Sequence, residues 1–364
     1  MLLPVLALYV DQITDATPLS IGVALGIYGL TQAFFQIPLG ALSDSVGRKP
    51  IIACGLVLYI AGALFGATAN SIWTIIVGRA IQGCGAVSGA TLALAADLCR
   101  ENQRTKITAA IGSSIGIAFS VAFVLGPFLD TTFSLSGVFI ITAILGLVAL
   151  CILIWLTPSP VKTCSNPRLP TLETFLLPDL RVLFAGVFIL HAVLAANFIS
   201  VPVAMVESLS IGVADQWRLY LVIISSSIIL VAYPIRSFSK DTGNDRQFRI
   251  AIAVLGFSEV CLSLFWHDFG FIAALIIFFT AFNYLEAIMP TIVSQKAPVA
   301  GRGAALGTYA TCQFLGMFVG GLVGGAVAEL LATKWVHLFA ALLIVLWYWL
   351  TVSQKQRKIF TGQV

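Results

Sequence analysis

Runs of about twenty mostly apolar residues recur along the whole chain, each closed by a short polar turn. Each run is long enough to cross a bilayer core roughly 30 Å thick as a helix. Eleven full-length segments stand out, at about 20–42, 51–70, 72–97, 107–129, 135–156, 182–205, 217–238, 248–266, 269–294, 303–331 and 335–352. The longest polar connections, TPSPVKTCSNPRLPTLETFLLPDL at 157–180 and SFSKDTGNDRQFR at 237–249, are rich in Pro, Gly and charge. The pattern predicts an all-α polytopic membrane protein. Before the polar stretch DQITD there is only MLLPVLALYV, half a crossing, without the cationic region or small-residue cleavage site of a signal peptide. It reads as the outer half of a first helix whose inner half is missing. Counted with it, twelve crossings fall six and six: a helical half at 1–156, a linker at 157–180, a second half at 181–352 and a tail at 353–364.

Composition agrees. The chain is 59% hydrophobic and 10% charged, where soluble domains carry about a quarter charged residues. Position matters more than the net charge of +4, which gives no reason to expect nucleic-acid binding. Of 20 Lys and Arg, 17 fall on alternate loops and the tail: Arg48, Lys49, Arg100, Arg104, Lys106, Lys162, Arg168, Arg181, Arg236, Lys240, Arg246, Arg249, Lys296, Arg302, Lys355, Arg357 and Lys358. The opposite loops hold Arg218 and Lys334, and Arg79 lies inside a crossing. The basic loops, the linker and the C-terminus are therefore expected in the cytoplasm. Seven scattered cysteines form no C-x-x-C pair or metal-like spacing and read as packing residues.

One basic loop departs from simple topology. LGALSDSVGRKP at 39–50 combines an acid, an Arg-Lys pair and two glycines. A second signal is a parallel repeat: AAIGSSIGIAFSVAFVLG at 109–126 aligns without a gap on AALGTYATCQFLGMFVGG at 304–321, and both follow a basic loop. Parallel six-helix halves are an architecture of secondary transporters. The loop Gly40-Ala41-Leu42-Ser43-Asp44-Ser45-Val46-Gly47-Arg48-Lys49 resembles the pattern Gly-x-Leu-Ala-Asp-Arg-x-Gly-Arg-Lys of the major facilitator superfamily, and Arg79-x-x-Gln82-Gly83-x-Gly85 resembles its Arg-x-x-Gln-Gly-x-Gly signature. IYGLTQAFFQIPLGALSD, GRAIQGCGAV, FNYLEAIMPTIVSQ and GTYATCQFLGMFVGG are similar to the YajR-type proteobacterial members of its drug:proton antiporter branch.

That resemblance implies a conformational latch. Asp44 would sit against the N-terminus of the helix beginning GRGAALG when the transporter opens outward, with Arg48 and Lys49 meeting Asp97 at the foot of the fourth helix, and with Gly40 and Gly47 allowing close packing and a tight turn. Ser45 stands where the family has Arg. It also implies a cavity lined by helices 1, 4, 7 and 10, nominating Arg79 with Gln82, Glu286 with Asn283, and His191 and Asn197 for proton coupling or substrate contact. Tyr28, Gln32 and Gln36 form one polar stripe, and Tyr309 and Gln313 another; each serves substrate or an interhelical bond. The matching Arg of the family is associated with coupling to protons by way of a nearby carboxylate; the alternative is an Arg tied to backbone carbonyls that holds helices together. Glu259 is expected to be packed and hydrogen-bonded. Of the antiporter pattern Gly-x8-Gly-x3-Gly-Pro-x2-Gly-Gly only Gly126-Pro127 stands, with Ser113, Ala122, Asp130 and Thr131 elsewhere in it. Gly316, Gly320, Gly321, Gly324 and Gly325 make a small-residue face for close helix contact.

The expected function is secondary active transport, proton-coupled efflux of small organic compounds by a monomer in the bacterial inner membrane, with no cofactor beyond the proton gradient and no metal. Alternatives are a uniporter or symporter on the same fold, or a truncated non-transporting remnant or sensor. Asp11 and Asp15 have the D-x3-D spacing of diphosphate-binding enzymes, but with no second acidic motif; no enzyme is expected.

Overall fold

The computed structural model describes residues 2–10, 12–99, 103–158, 178–236, 245–298 and 301–360. A 3-10 turn, Leu6–Tyr9, precedes eleven α-helices: α1 Pro18–Val46, α2 Arg48–Ala67, α3 Ile72–Cys84, α4 Ser88–Leu98, α5 Arg104–Cys151, α6 Pro178–Glu207, α7 Val213–Arg236, α8 Asp245–Leu264, α9 Gly270–Lys296, α10 Arg302–Leu330 and α11 Trp335–Phe360. The expected linker 157–180 lies mostly outside the described residues, as does Asp11. Pro178–Leu180 already belong to α6, and α11 runs past the expected end at 352.

Ten helices among the described residues are long and apolar enough to cross a membrane, where the sequence predicts eleven crossings. The difference lies in α5. Its 48 residues would span about 72 Å if straight, more than twice a bilayer core, but Ser134 breaks it with φ 59° and ψ 176°. Beyond the break the chain runs back along α2: Phe139 lies on Gly66, Ile60 on Gly146, and the Lys49 ammonium donates to the Thr157 carbonyl at 2.7 Å. The segments predicted at 107–129 and 135–156 are thus two limbs of one broken element. The second limb ends in a π-helical turn, Ile152–Leu156. The helix continues through Pro127, and its break lies seven residues further on.

The crossing predicted at 72–97 is also in two pieces, parted at Gly85–Val87. Here glycine sets the packing. A Cβ on Gly83 would strike the Tyr28 carbonyl of α1, and one on Gly85 the Gly55 carbonyl of α2. The Gln-Gly-x-Gly stretch thus presses α3 between α1 and α2.

The two ends of the bundle differ. At one end Thr14 pairs with Ser71 and the Leu19 amide donates to Glu329 Oε2 at 3.0 Å; this is the stub face. The other end carries Gly47, Lys49 and Thr157; this is the loop face. Along α1, Gly22, Gly26 and Gly29 follow one stripe, and a Cβ on any of them would collide with the α10 backbone at Gly321, Phe318 and Phe314 respectively. Gly40 continues the same stripe toward the loop face, yet nothing lies within 4 Å of its Cβ position, nor of those at Gly303 and Gly307 of α10. The two helices therefore touch on the stub side of Gly29 and part beyond it. A second closure accompanies the first: Phe123 of α5 packs edge-on against Tyr220 of α7 at 4.5 Å and Phe279 of α9 at 5.4 Å, while Phe128 meets Trp217 at 5.7 Å. Nearer the loop face Gly116 of α5 has open space. The bundle is sealed at the stub face and splayed at the loop face.

Candidate functional site

A polar cluster occupies the middle of the bundle. His191 on α6, Glu286 on α9 and Gln313 on α10 lie roughly 15–20 Å along their helices from the loop-face ends, at about 1.5 Å per residue, near the centre of a bilayer core. Gln313 Nε2 lies 2.8 Å from His191 Nε2 and 3.5 Å from Glu286 Oε1, and His191 Nε2 lies 3.6 Å from Glu286 Oε2. The histidine is sealed, its side chain 4% exposed, whereas the Glu286 side chain is 35% exposed. Phe282 packs on the imidazole at 5.8 Å. Tyr309, one turn before Gln313, is buried with its hydroxyl unpartnered and within electrostatic reach of Glu286. Four residues nominated separately from the sequence are brought together.

The bonds assign the imidazole. His191 Nδ1 sits 3.1 Å from the Val187 carbonyl, which can only accept, so Nδ1 carries the proton. Nε2 then accepts from the Gln313 amide. A second proton on the ring would set two donors face to face at Gln313 and turn Nε2–H toward Glu286 Oε2, which has no hydrogen-bond partner. The cluster can therefore exchange a neutral amide bond for an ion pair on taking up one proton.

Other nominated residues go elsewhere. Asn197 lies six residues after His191 on α6, on another face. It donates to Glu259 Oε1 at 2.7 Å, and His337 Nδ1 meets Glu259 Oε2 at 2.9 Å. Both side chains of the Glu259–His337 pair are 0% exposed. The expected hydrogen-bonded Glu259 is present; His337 was not nominated, although a fully buried acid demands a partner and the last crossing carries this histidine. Asn283 donates to Ser227 on α7 at 3.1 Å, away from the cluster.

Arg79 lies beneath α1 toward the stub face. Its guanidinium stacks 4.6 Å from the Tyr28 ring and donates to Gln82 Oε1 at 3.2 Å and to the Ala24 carbonyl at 3.4 Å. No carboxylate pairs with it among the described residues. The resemblance implied a nearby carboxylate; here a π-face and a backbone carbonyl hold the guanidinium. Gln32 and Gln36 are buried with their side-chain carbonyls unpartnered.

At the loop face Arg48 pairs with Asp44, donates to Asp97 Oδ2 at 3.0 Å and to Ser43 Oγ at 2.8 Å. Lys49 does not join it on Asp97: consecutive helical residues point about 100° apart, and Lys49 caps the Ile154 and Thr157 carbonyls. Gly47 has φ 119°, a turn that glycine alone makes without strain. Asp44 is held within its own half of this arrangement, and the Cβ positions at Gly301 and Gly303 beside the α10 N-terminus are open.

Residues 1–321 match the family model of the Major Facilitator Superfamily. The inner membrane transport protein YajR of Escherichia coli is 36% identical over 98% of this chain and 80% of that protein. The quinolone resistance protein NorA of Staphylococcus aureus is 25% identical over 90% of this chain and 86% of its own. Among solved structures, the nucleoside transporter NupG covers 97% of this chain and 94% of its own with a TM-score of 0.74 at 16% identity, a likeness of fold alone.

Proposed function

The chain belongs to the major facilitator superfamily and is a membrane transporter rather than an enzyme; from that premise we propose that it exports small organic compounds in exchange for protons, by alternating access between two six-helix halves. The observation that carries this reading is the His191–Glu286–Gln313 cluster. A carboxylate exposed to a cavity beside a sealed, singly protonated imidazole supplies a site at which one proton and one ligand compete. The positive-inside pattern makes the loop face cytoplasmic, so the described state opens inward and the C-terminus lies in the cytoplasm of a bacterium. Docking of Asp44 on the α10 N-terminus belongs to the opposite state; in the inward-open one Arg48 holds Asp44 and Asp97. No cofactor is required beyond the proton gradient, and one copy in the bilayer suffices.

The test is made in vesicles containing the purified protein and a pH-sensitive dye. Adding a quinolone, the compound class in the name of the NorA relative, or a lipophilic cation is expected to discharge an imposed proton gradient. Glu286→Gln is expected to abolish the discharge by at least ten-fold while substrate exchange without a gradient persists. Substrate movement by the unaltered protein with the gradient untouched would make it a uniporter.

A further inference from the structure

The short N-terminal segment is packed as though it were core. Leu2, Val5, Leu6 and Ala7 are 5%, 0%, 0% and 3% exposed, and the segment lies against both α6 and α1. It ends in a bond the rest of the site does not use: the Tyr9 hydroxyl donates to Asp130 Oδ1 at 2.7 Å, with Asp130 itself 7% exposed. Asp130 is on α5, four residues before the break at Ser134, where a glycine could make no such bond.

We infer that Tyr9 and Asp130 are positioning residues of the transport cycle, a latch that ties the N-terminal segment across the stub face and holds that face shut. The segment packs on α6 and is bonded to α5, so it joins elements on both sides of the seal that Phe123, Phe128, Tyr220 and Trp217 make. Opening this face moves α5 away from α6. The segment must then lose either its packing on α6 or its bond to Asp130, and whichever loss is smaller is added to the cost of opening. Without the bond, only the contacts of the segment with α1 oppose its staying on α6, and opening costs less there. The bond is partly buried and one partner is a carboxyl group, which makes it weigh more than a bond between neutral groups. The inference rests on the alternating-access reading of the fold and not on which ion or compound is carried.

Spin labels on cysteines at Asn70 and Leu331, both exposed at the stub face, would report its width in a background freed of native cysteines. The unaltered protein is expected to show a predominantly short distance. Tyr9→Phe removes one hydroxyl and is expected to raise the ratio of long to short distances about ten-fold, the effect of losing one hydrogen bond to a charged group. Asp130→Asn keeps an acceptor and is expected to shift it less. Tyr284→Phe, which removes a bond to Gln247 between α9 and α8, is expected to leave the ratio unchanged. An unchanged or shortened distribution in Tyr9→Phe overturns the latch, even if the variant melts earlier, because a merely structural bond would lower stability without widening the face. Gly29→Trp drives a ring into the Phe314 backbone and serves as the reference for an opened seam. If it opens and Tyr9→Phe does not, the latch fails while alternating access stands; if neither opens, both fail.

Discussion

His337 illustrates what a buried acid requires of its surroundings. Glu259 with no solvent exposure has two partners, one from α6 and one from α11, and removing either leaves a polar or charged group stranded in the apolar layer. His337→Leu is expected to destabilise the protein by about 3 kcal/mol, read as a fall in melting temperature in detergent, and adding Glu259→Leu is expected to recover most of it. The presence of Glu259, Arg79, His191 and Glu286 in apolar crossings was legible in the sequence, because charge at that depth is rare enough to stand out. Their partners were not. Which face of α6 meets α9 and which meets α8 depends on helix rotations that a near-uniform apolar alphabet does not encode, so His191 and Asn197 looked like one group and belong to two.

At the scale of elements, length and turn chemistry made the crossings and the junction at 130–134 readable, while the break inside the crossing at 72–97 escaped. Thr131, Thr132 and Ser134 lack the Pro-Gly or Asn-Gly of a tight reversal, yet the break falls in the gap left between the segments at 107–129 and 135–156, and the chain turns there on a serine in a conformation that glycine alone adopts freely. Such a residue costs on the order of 1–3 kcal/mol. Ser134→Gly is therefore expected to stabilise the protein by about 1 kcal/mol, seen as a raised melting temperature with transport retained; a lowered one would mean that the serine side chain holds the turn. The glycine face of α10 was legible as a packing surface, but its two neighbours were not. Gly316, Gly320 and Gly324 admit the α6 backbone, while Gly321 and Gly325 admit α1.

For the whole molecule, the state of the bundle is written in which glycines are crowded and which are free. Cysteines at Gly40 and Gly303, which continue the register of the α1–α10 contact nearer the loop face and have open Cβ positions, are expected to join only when a gradient or ligand drives the other state; equal rates with and without that drive would count against rocking about Gly29. The crossing of α1 and α10 has one more implication. Phe314, whose backbone meets Gly29 where the two helices part, directly follows Gln313, the residue that holds His191. On the proposed proton exchange, the fulcrum of the movement and the polar cluster would thus occupy a single helical turn. A small rotation of Gln313 would then be applied at the pivot of a lever whose arms reach both surfaces of the membrane, with no relay of side chains between the cluster and the motion.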